Sequence, residues 1–208
     1  MNPTQMIQYL REVEKNIRNI SYFNEFIRLS CAGSLLDLHV FPNAKEVTES
    51  MGCFDAVRRY LPVGWNFSDT NIICLSLADG STPRTAALFA YMSKWQIISV
   101  DPAMREDAIE RCKSVDRLIC IKDIVENIGE YECERAVILA VHAHNSPEKK
   151  DKRKNILEAA MKKVKAKNYL VVALPCCNDL NIPGRNFQHE YKDLGIWSEK
   201  NVVRIWEI

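Results

Sequence analysis

No stretch of this 208-residue sequence approaches the ~18 consecutive apolar residues of a membrane-spanning helix, which argues against an integral membrane protein. The polar opening MNPTQ has no secretory-leader pattern, so the expected compartment is cytosol or nucleus. An excess of one charge is missing too. The 28 Lys and Arg against 27 Asp and Glu leave a net charge of +1 and a pI near 7.5. Bulk electrostatics therefore select neither nucleic acid nor an acidic membrane, and any such preference has to come from a local patch. Eight cysteines are too few for a disulfide scaffold at this length, and Cys74 and Cys120 fall inside strand-like runs. Reduced thiols packed as small core residues are the default. There is no internal repeat and no low-complexity segment. What is present, 47% apolar and 26% charged residues, is the make-up of one sizeable globular domain, with too little chain for two.

The most informative stretch runs from Asn71 to Pro102. A buried-strand run, Ile72 to Leu77, contains a single polar residue, Ser76. A turn of small and polar residues follows, Ala78-Asp79-Gly80-Ser81-Thr82. Pro83 suits the first position of a helix, where its missing N–H is no loss. Arg84 to Met92 is rich in helix formers, and a second apolar run, Gln96 to Val100, ends in Asp101. Strand, tight turn, helix, strand, acid is the opening unit of a nucleotide-binding α/β sheet. Gly80 lets backbone approach a ligand, and the helix N-terminus favours a polar or anionic group. Asp101 lies 21 residues beyond Gly80, near the ~20 at which an acid reaches ribose hydroxyls in such folds.

Upstream, residues 4–29 carry an apolar stripe at helical spacing, Met6, Leu10, Val13, Ile17 and Ile20, fit to pack on the sheet or to form a homodimer contact. Cys31 to Ser34 reads as a turn, and Leu35 to Phe41 as a short strand or helical turn. A second amphipathic helix spans Ala44 to Tyr60, ended by Pro62 and Gly64. Downstream the alternation is regular. A helix over Arg105 to Lys113 precedes a third strand, Asp116 to Ile121. Ile124 to Tyr131 is a short crossover and Arg135 to Val141 a fourth strand. A long basic helix covers about 147–166, then a fifth strand runs Tyr169 to Leu174. A loop-rich stretch leads to a terminal strand, Val202 to Ile208. Strands alternating with helices predict an α/β fold: a mostly parallel, doubly wound (Rossmann-like) sheet of six to seven strands with N-terminal helices. The expected organisation is one α/β domain over 1–208, a helical extension over 1–66 preceding a core over 70–208.

Ligands of open α/β sheets bind beyond the carboxyl ends of the strands. Those ends are Ala78–Thr82, Asp101, Lys122-Asp123, His142-Ala143-His144-Asn145, and Pro175 to Asp179, all polar or sterically special after apolar runs. With these residues in place the chain resembles the class I (Rossmann-like) S-adenosylmethionine-dependent methyltransferases, over roughly residues 70–208. The resemblance implies S-adenosylmethionine as cofactor, its methionine part passed by Ala78, Asp79, Gly80, Ser81 and Thr82. It implies Asp101 on the ribose hydroxyls, Pro102 beside the adenine, and Asp123, with Lys122, near the adenine amino group. His142, His144 and Asn145 fall where that superfamily keeps its catalytic segment. A His-Ala pair after strand four and Pro-Cys-Cys after strand five resemble a subgroup with RNA-modifying members. The sequence also departs from the pattern. Ser76 stands where an acid is common, and Ala78 and Thr82 where glycine is usual, so φ > 0 at either is costly. Asp79 is placed to replace the missing acid. The alternative is a non-catalytic binding or assembly protein that keeps this fold with a degenerate cofactor loop.

Methyl transfer from a sulfonium asks the protein to position a nucleophile and sometimes to remove a proton. His142 or His144 is the candidate base, and two residues apart in a continuing strand they would face the same way. A zinc site from these histidines with Cys176 and Cys177 is disfavoured because adjacent cysteines lack the usual ligand separation, so no metal is assigned. The run Lys149 to Lys154 begins beside the proposed active end and is either a solvated helix face or a grip on the phosphates of RNA or another nucleic acid. Trp65, Phe67 and Trp197 either line an acceptor cleft or anchor the core.

Overall fold

The computed structural model describes residues 22–143, 155–175 and 180–208. Three helices come first: α1 (Tyr22–Ile27), α2 (Ala32–Asp37) and α3 (Ala44–Tyr60). The alternating part follows as β1 (Ile72–Leu77), α4 (Arg84–Met92), β2 (Gln96–Val100), α5 (Glu106–Cys112) and β3 (Leu118–Ile121). A 3-10 turn at Val125–Asn127 leads to β4 (Tyr131–Val141), α6 (Ile156–Lys163), β5 (Val164–Leu174), β6 (His189–Lys192) and β7 (Val202–Glu207). The seven strands form one sheet in the order β3-β2-β1-β4-β5-β7-β6. β7 runs antiparallel to both β5 and β6, and the other pairings are parallel.

The sheet is covered on both faces, which is why its central strands read as nearly unbroken apolar runs. On one face Ile72, Cys74, Ile97, Val137, Leu139 and Val172 pack under α1 to α4, with Phe26, Leu35, Met51, Phe54 and Phe89. On the other, Leu75, Leu77, Ile98, Ile138 and Val171 pack under α6 and the 3-10 turn through Leu157, Ala160 and Val125. Each fully buried Leu, Ile or Phe contributes about 1.5–3 kcal/mol relative to exposure. Trp95 is fully buried, stacked on Phe67 at 5.0 Å, with its indole N–H donated to the Asn66 carbonyl at 2.9 Å. Phe67 is therefore a core anchor, whereas Trp197 is half exposed and stacks on Phe23.

Helix α3 has the bounds its sequence predicts, because Asn43 caps it by accepting the Glu46 amide at 3.1 Å. Other expectations are corrected. Ala32 to Ser34 opens helix α2 rather than a turn, and the following residues form its end. Strand β4 begins at Tyr131, four residues before the apolar run. Val164 to Ala166 belong to β5 and not to the basic helix, whose described part is Ile156–Lys163. Exposed ion pairs accompany the extended β4–β5 ladder there: Glu130 meets Lys165 and Glu134 meets Lys167, each at 2.6 Å. The stretch read as loop also holds β6, paired to β7 from His189↔Ile205 to Lys192↔Val202. The stripe from Met6 to Ile20 lies outside the described residues, as does the Lys149–Lys154 run.

Candidate functional site

Strand order reverses direction of travel at β1: its chain continues outward through β2 to β3, then returns to β4 on the other side. The crevice beyond the carboxyl ends of β1 and β4 is the switch point where such sheets bind ligands. Two non-glycine residues with positive φ stand there, Ala78 (φ 53°) after β1 and His142 (φ 59°) after β4. A left-handed L-residue costs roughly 1–2 kcal/mol, so both turns are held by their surroundings.

The bend after β1 is built by Asp79. Its carboxylate is fully buried, accepts the Thr85 and Ala86 amides at 3.0 Å each, and takes the Ser99 hydroxyl at 3.1 Å. It therefore caps α4 from within, and the helix N-terminus expected to face a ligand is already occupied by a side-chain anion. Gly80 has φ 86°, and an added Cβ would lie 2.8 Å from Arg84 Nη1. Arg84 folds back over the bend, donating to the Asp79 carbonyl, with Nε 3.3 Å from Glu46 Oε2. Thr82 turns away, its hydroxyl donated to the Val40 carbonyl at 2.6 Å, and Ser81 is exposed.

Asp101 faces this bend. It is 7% exposed, and its Oδ2 accepts the Gly80 amide at 2.8 Å while Oδ1 accepts the Ala103 amide at 2.6 Å. The Arg105 amide adds a bond to the Ser81 carbonyl at 3.0 Å. An ionised carboxylate has about four acceptor positions, so two amides leave acceptor capacity for ligand hydroxyls. Pro102 is exposed beside it. Lys122 points to Glu106 at 2.9 Å on the surface, and Asp123 accepts the Ile124 amide at 2.7 Å and Asn127 Nδ2 at 2.8 Å. The structure thus brings together the bend and Asp101, and engages Lys122 and Asp123 with their own loop and neighbouring helix. Strand β4 ends at Val141, so the shared facing of His142 and His144 along a continuing strand does not hold. His144 and Asn145, like Cys176 and Cys177, lie outside the described residues.

The residue that sequence reasoning missed is Glu49, on α3. It is fully buried, and its Oε1 lies 2.7 Å from both His142 Nε2 and Lys45 Nζ. Burial pushes the Glu49 carboxyl up, but the hydrogen bonds from His142 and Lys45 outweigh it and hold the pKa below the ordinary value. An ionised carboxylate accepts only, so His142 Nε2 carries a proton toward Glu49, which fixes the orientation of the ring. The sequence offered no signal for this pair beyond an acid on the polar side of a helix, 93 residues from its partner.

No protein-family model and no curated protein matches this sequence. Solved structures do. A point mutant of MtNAS in complex with S-adenosylmethionine matches with a TM-score of 0.51 at 12% identity, over 92% of this chain and 72% of that one. A S-adenosylmethionine-dependent methyltransferase from Aquifex aeolicus matches with a TM-score of 0.51 at 10% identity, over 85% of this chain and 97% of that one. The chain has the class I methyltransferase fold. Within that fold, the Ala78–Thr82 bend, Asp101 and the Glu49–His142 pair stand at the rim formed by the carboxyl ends of β1, β2 and β4. Among the described residues no helix is long and apolar enough to cross a membrane. A groove of about 500 Å³ lined by Asp69, Gln96 and Arg135 lies at the amino ends of the strands, away from this rim.

Proposed function

We infer that the protein is an S-adenosylmethionine-dependent methyltransferase. The observation that carries this reading is the 2.8 Å bond between the Gly80 amide and Asp101 at the switch-point rim. It sets the Gly80 backbone against a buried acid, in the places where a nucleoside's tail and sugar would lie. The charge of the rim fits such a ligand. Glu46, Glu49, Asp79 and Asp101 stand against Lys45 and Arg84 there, and a sulfonium bearing an amino-acid end is a net cation at neutral pH.

When bound, the cofactor supplies an electrophilic methyl group on a sulfonium. The chain's part is to fix the acceptor in line with that group and to keep water from competing. For an acceptor that carries a proton, His142 is the candidate base, with Glu49 orienting its ring through Nε2. For the acceptor itself we propose a nucleic acid, on the sequence of Lys149–Lys154 alone; binding to RNA should then weaken with added salt.

Two observations favour the second reading, a non-catalytic binding or assembly protein. Ala78 holds a left-handed conformation that glycine adopts freely, and Arg84 packs against Gly80. Calorimetric titration with S-adenosylhomocysteine separates the two readings. Micromolar binding is expected of the enzyme, and absence of heat at millimolar ligand would leave only the scaffold.

A further inference from the structure

One carboxylate at the rim is only half used. Glu49 Oε1 accepts from both Lys45 and His142 at 2.7 Å, while Oε2, equally buried, has no hydrogen-bond partner among the described residues. A buried acceptor left unmet is costly, and more so when charged. The donor it lacks is therefore one the described residues do not supply.

The neighbourhood indicates what that donor is. Lys45 is committed to Oε1 on the same carboxylate. Arg84 is committed to the Asp79 carbonyl and lies beside Glu46, which stands three residues before Glu49 on α3. Asp79 and Asp101, at the bend after β1, add two carboxylates to Glu46 and Glu49 on this side of the sheet, against the side-chain cations Lys45 and Arg84 among the described residues. A neutral hydroxyl would satisfy Oε2 but leave the surplus negative charge, whereas a cationic N–H donor answers both. The place is also fixed relative to the bend. Ser50, next to Glu49, shares a 3.0 Å hydrogen bond with Thr85 in the first turn of α4, and Thr85 in turn donates its amide to Asp79. Glu49 is thus one residue from the contact between α3 and the helix that follows the cofactor bend.

We propose that Glu49 Oε2 receives an ammonium group of a ligand bound at this rim. The proposal rests on the methyltransferase reading, under which two sources carry that chemistry: the amino-acid end of the cofactor, or an amine on the methyl acceptor.

Calorimetry on the full chain tests it, with wild type and Glu49→Gln titrated with three probes. S-adenosylhomocysteine carries both ammonium and carboxylate, its decarboxylated analogue S-adenosyl-3-thiopropylamine carries the ammonium alone, and 5′-methylthioadenosine carries neither. If the cofactor is the source, the first two bind wild type at least ~30-fold tighter than the third, about 2 kcal/mol. In Glu49→Gln that advantage over the third shrinks by at least ~10-fold, most clearly for the thiopropylamine, whose only charge is the ammonium. If the acceptor is the source, the nucleosides differ little, and millimolar propylamine binds the methylthioadenosine-saturated wild type but not the variant. Equal behaviour of wild type and variant in every arm overturns the proposal and leaves Oε2 to a buried water. Failure of all three nucleosides sinks the cofactor reading separately, and propylamine added to the free protein then decides the role of Glu49. Should Glu49→Gln fail to fold by thermal melt, Glu49→Asp, which keeps the charge on a shorter arm, is expected to retain an intermediate preference for the ammonium-bearing probes. A ratio of ammonium-bearing to methylthioadenosine affinity equal to that of wild type would count against the proposal.

Discussion

The Gly80 amide donates to Asp101 Oδ2 at 2.8 Å, so the bend after β1 and the acid after β2 are one unit although 21 residues separate them. The bond holds the carboxylate inward at the rim, and it gives Asp101 a structural duty beside the proposed ligand duty. The two are separable. Asp101→Asn retains an acceptor for one amide and should fold, losing about 1 kcal/mol, the scale of one net hydrogen bond. Its affinity for S-adenosylhomocysteine should fall at least ~30-fold by calorimetry, because a neutral amide is a poorer acceptor for ribose hydroxyls. Unchanged affinity in a folded Asp101→Asn protein would remove the ribose assignment.

Ala78 is placed for the opposite experiment. An ordinary Ala→Gly change costs roughly 0.5–1 kcal/mol through the unfolded chain, whereas relief of a left-handed alanine returns about 1 kcal/mol or more. Ala78→Gly should therefore be neutral or slightly stabilising in urea unfolding, and Ala78→Val, with a branched Cβ at φ 53°, clearly destabilising. A loss of 1 kcal/mol or more in Ala78→Gly would show that the turn is not under strain.

Asp79 has more riding on it than any other residue of the bend. Asp79→Ala orphans the Thr85 and Ala86 amides and the Ser99 hydroxyl in a buried place. A cost of about 3–5 kcal/mol is expected, enough to unfold a marginal domain. Asp79→Asn retains an acceptor for part of this set and should fall between. If Asp79→Ala melts like wild type, the capping role is wrong.

These residues mark where sequence reasoning reaches and where it stops. Strands β1 and β2, helix α4 and the acid at Asp101 were legible because each signal is local: apolar runs, a glycine turn, a proline at a helix start. The ends of β4 and β5 were not. Glu134 and Lys167 look like helix-surface charges in one dimension and become a cross-strand pair only when the two strands are side by side. β6 is four residues of mixed polarity whose identity as a strand comes from its partner β7. The Glu49–His142 pair joins a helix before the sheet to a turn after its fourth strand, and nothing at either position announces the other. Asp79 was legible as a functional acid, but its burial beneath α4 was not.

The last prediction concerns the far end of α3, where Tyr22 Oη stands 2.6 Å from Asp193 Oδ2 and 3.1 Å from Asp55 Oδ2. A phenol has one proton for these two carboxylates. Asp55 is further served by Arg58 and Arg59, at 2.5 and 2.6 Å. Asp193 has the Tyr22 hydroxyl and the Gly195 amide. Burial raises the Asp193 pKa, the hydrogen bonds from Tyr22 and Gly195 only partly offset it, and Asp55 repels it further. The folded pKa thus lies above that of the unfolded chain. Such a carboxyl favours the folded state most when protonated, and its contribution is lost as pH rises from about 4, the unfolded value, through the raised one. Asp193→Asn removes this titration. Its amide can donate to the Tyr22 oxygen, which frees the phenol proton for Asp55. The variant should match wild type below about pH 4 and exceed it by about 1 kcal/mol at neutral pH, measured by urea unfolding across the range. An advantage that grows on acidification would reverse the sign and show that Asp193 is ionised and stabilising in the native fold.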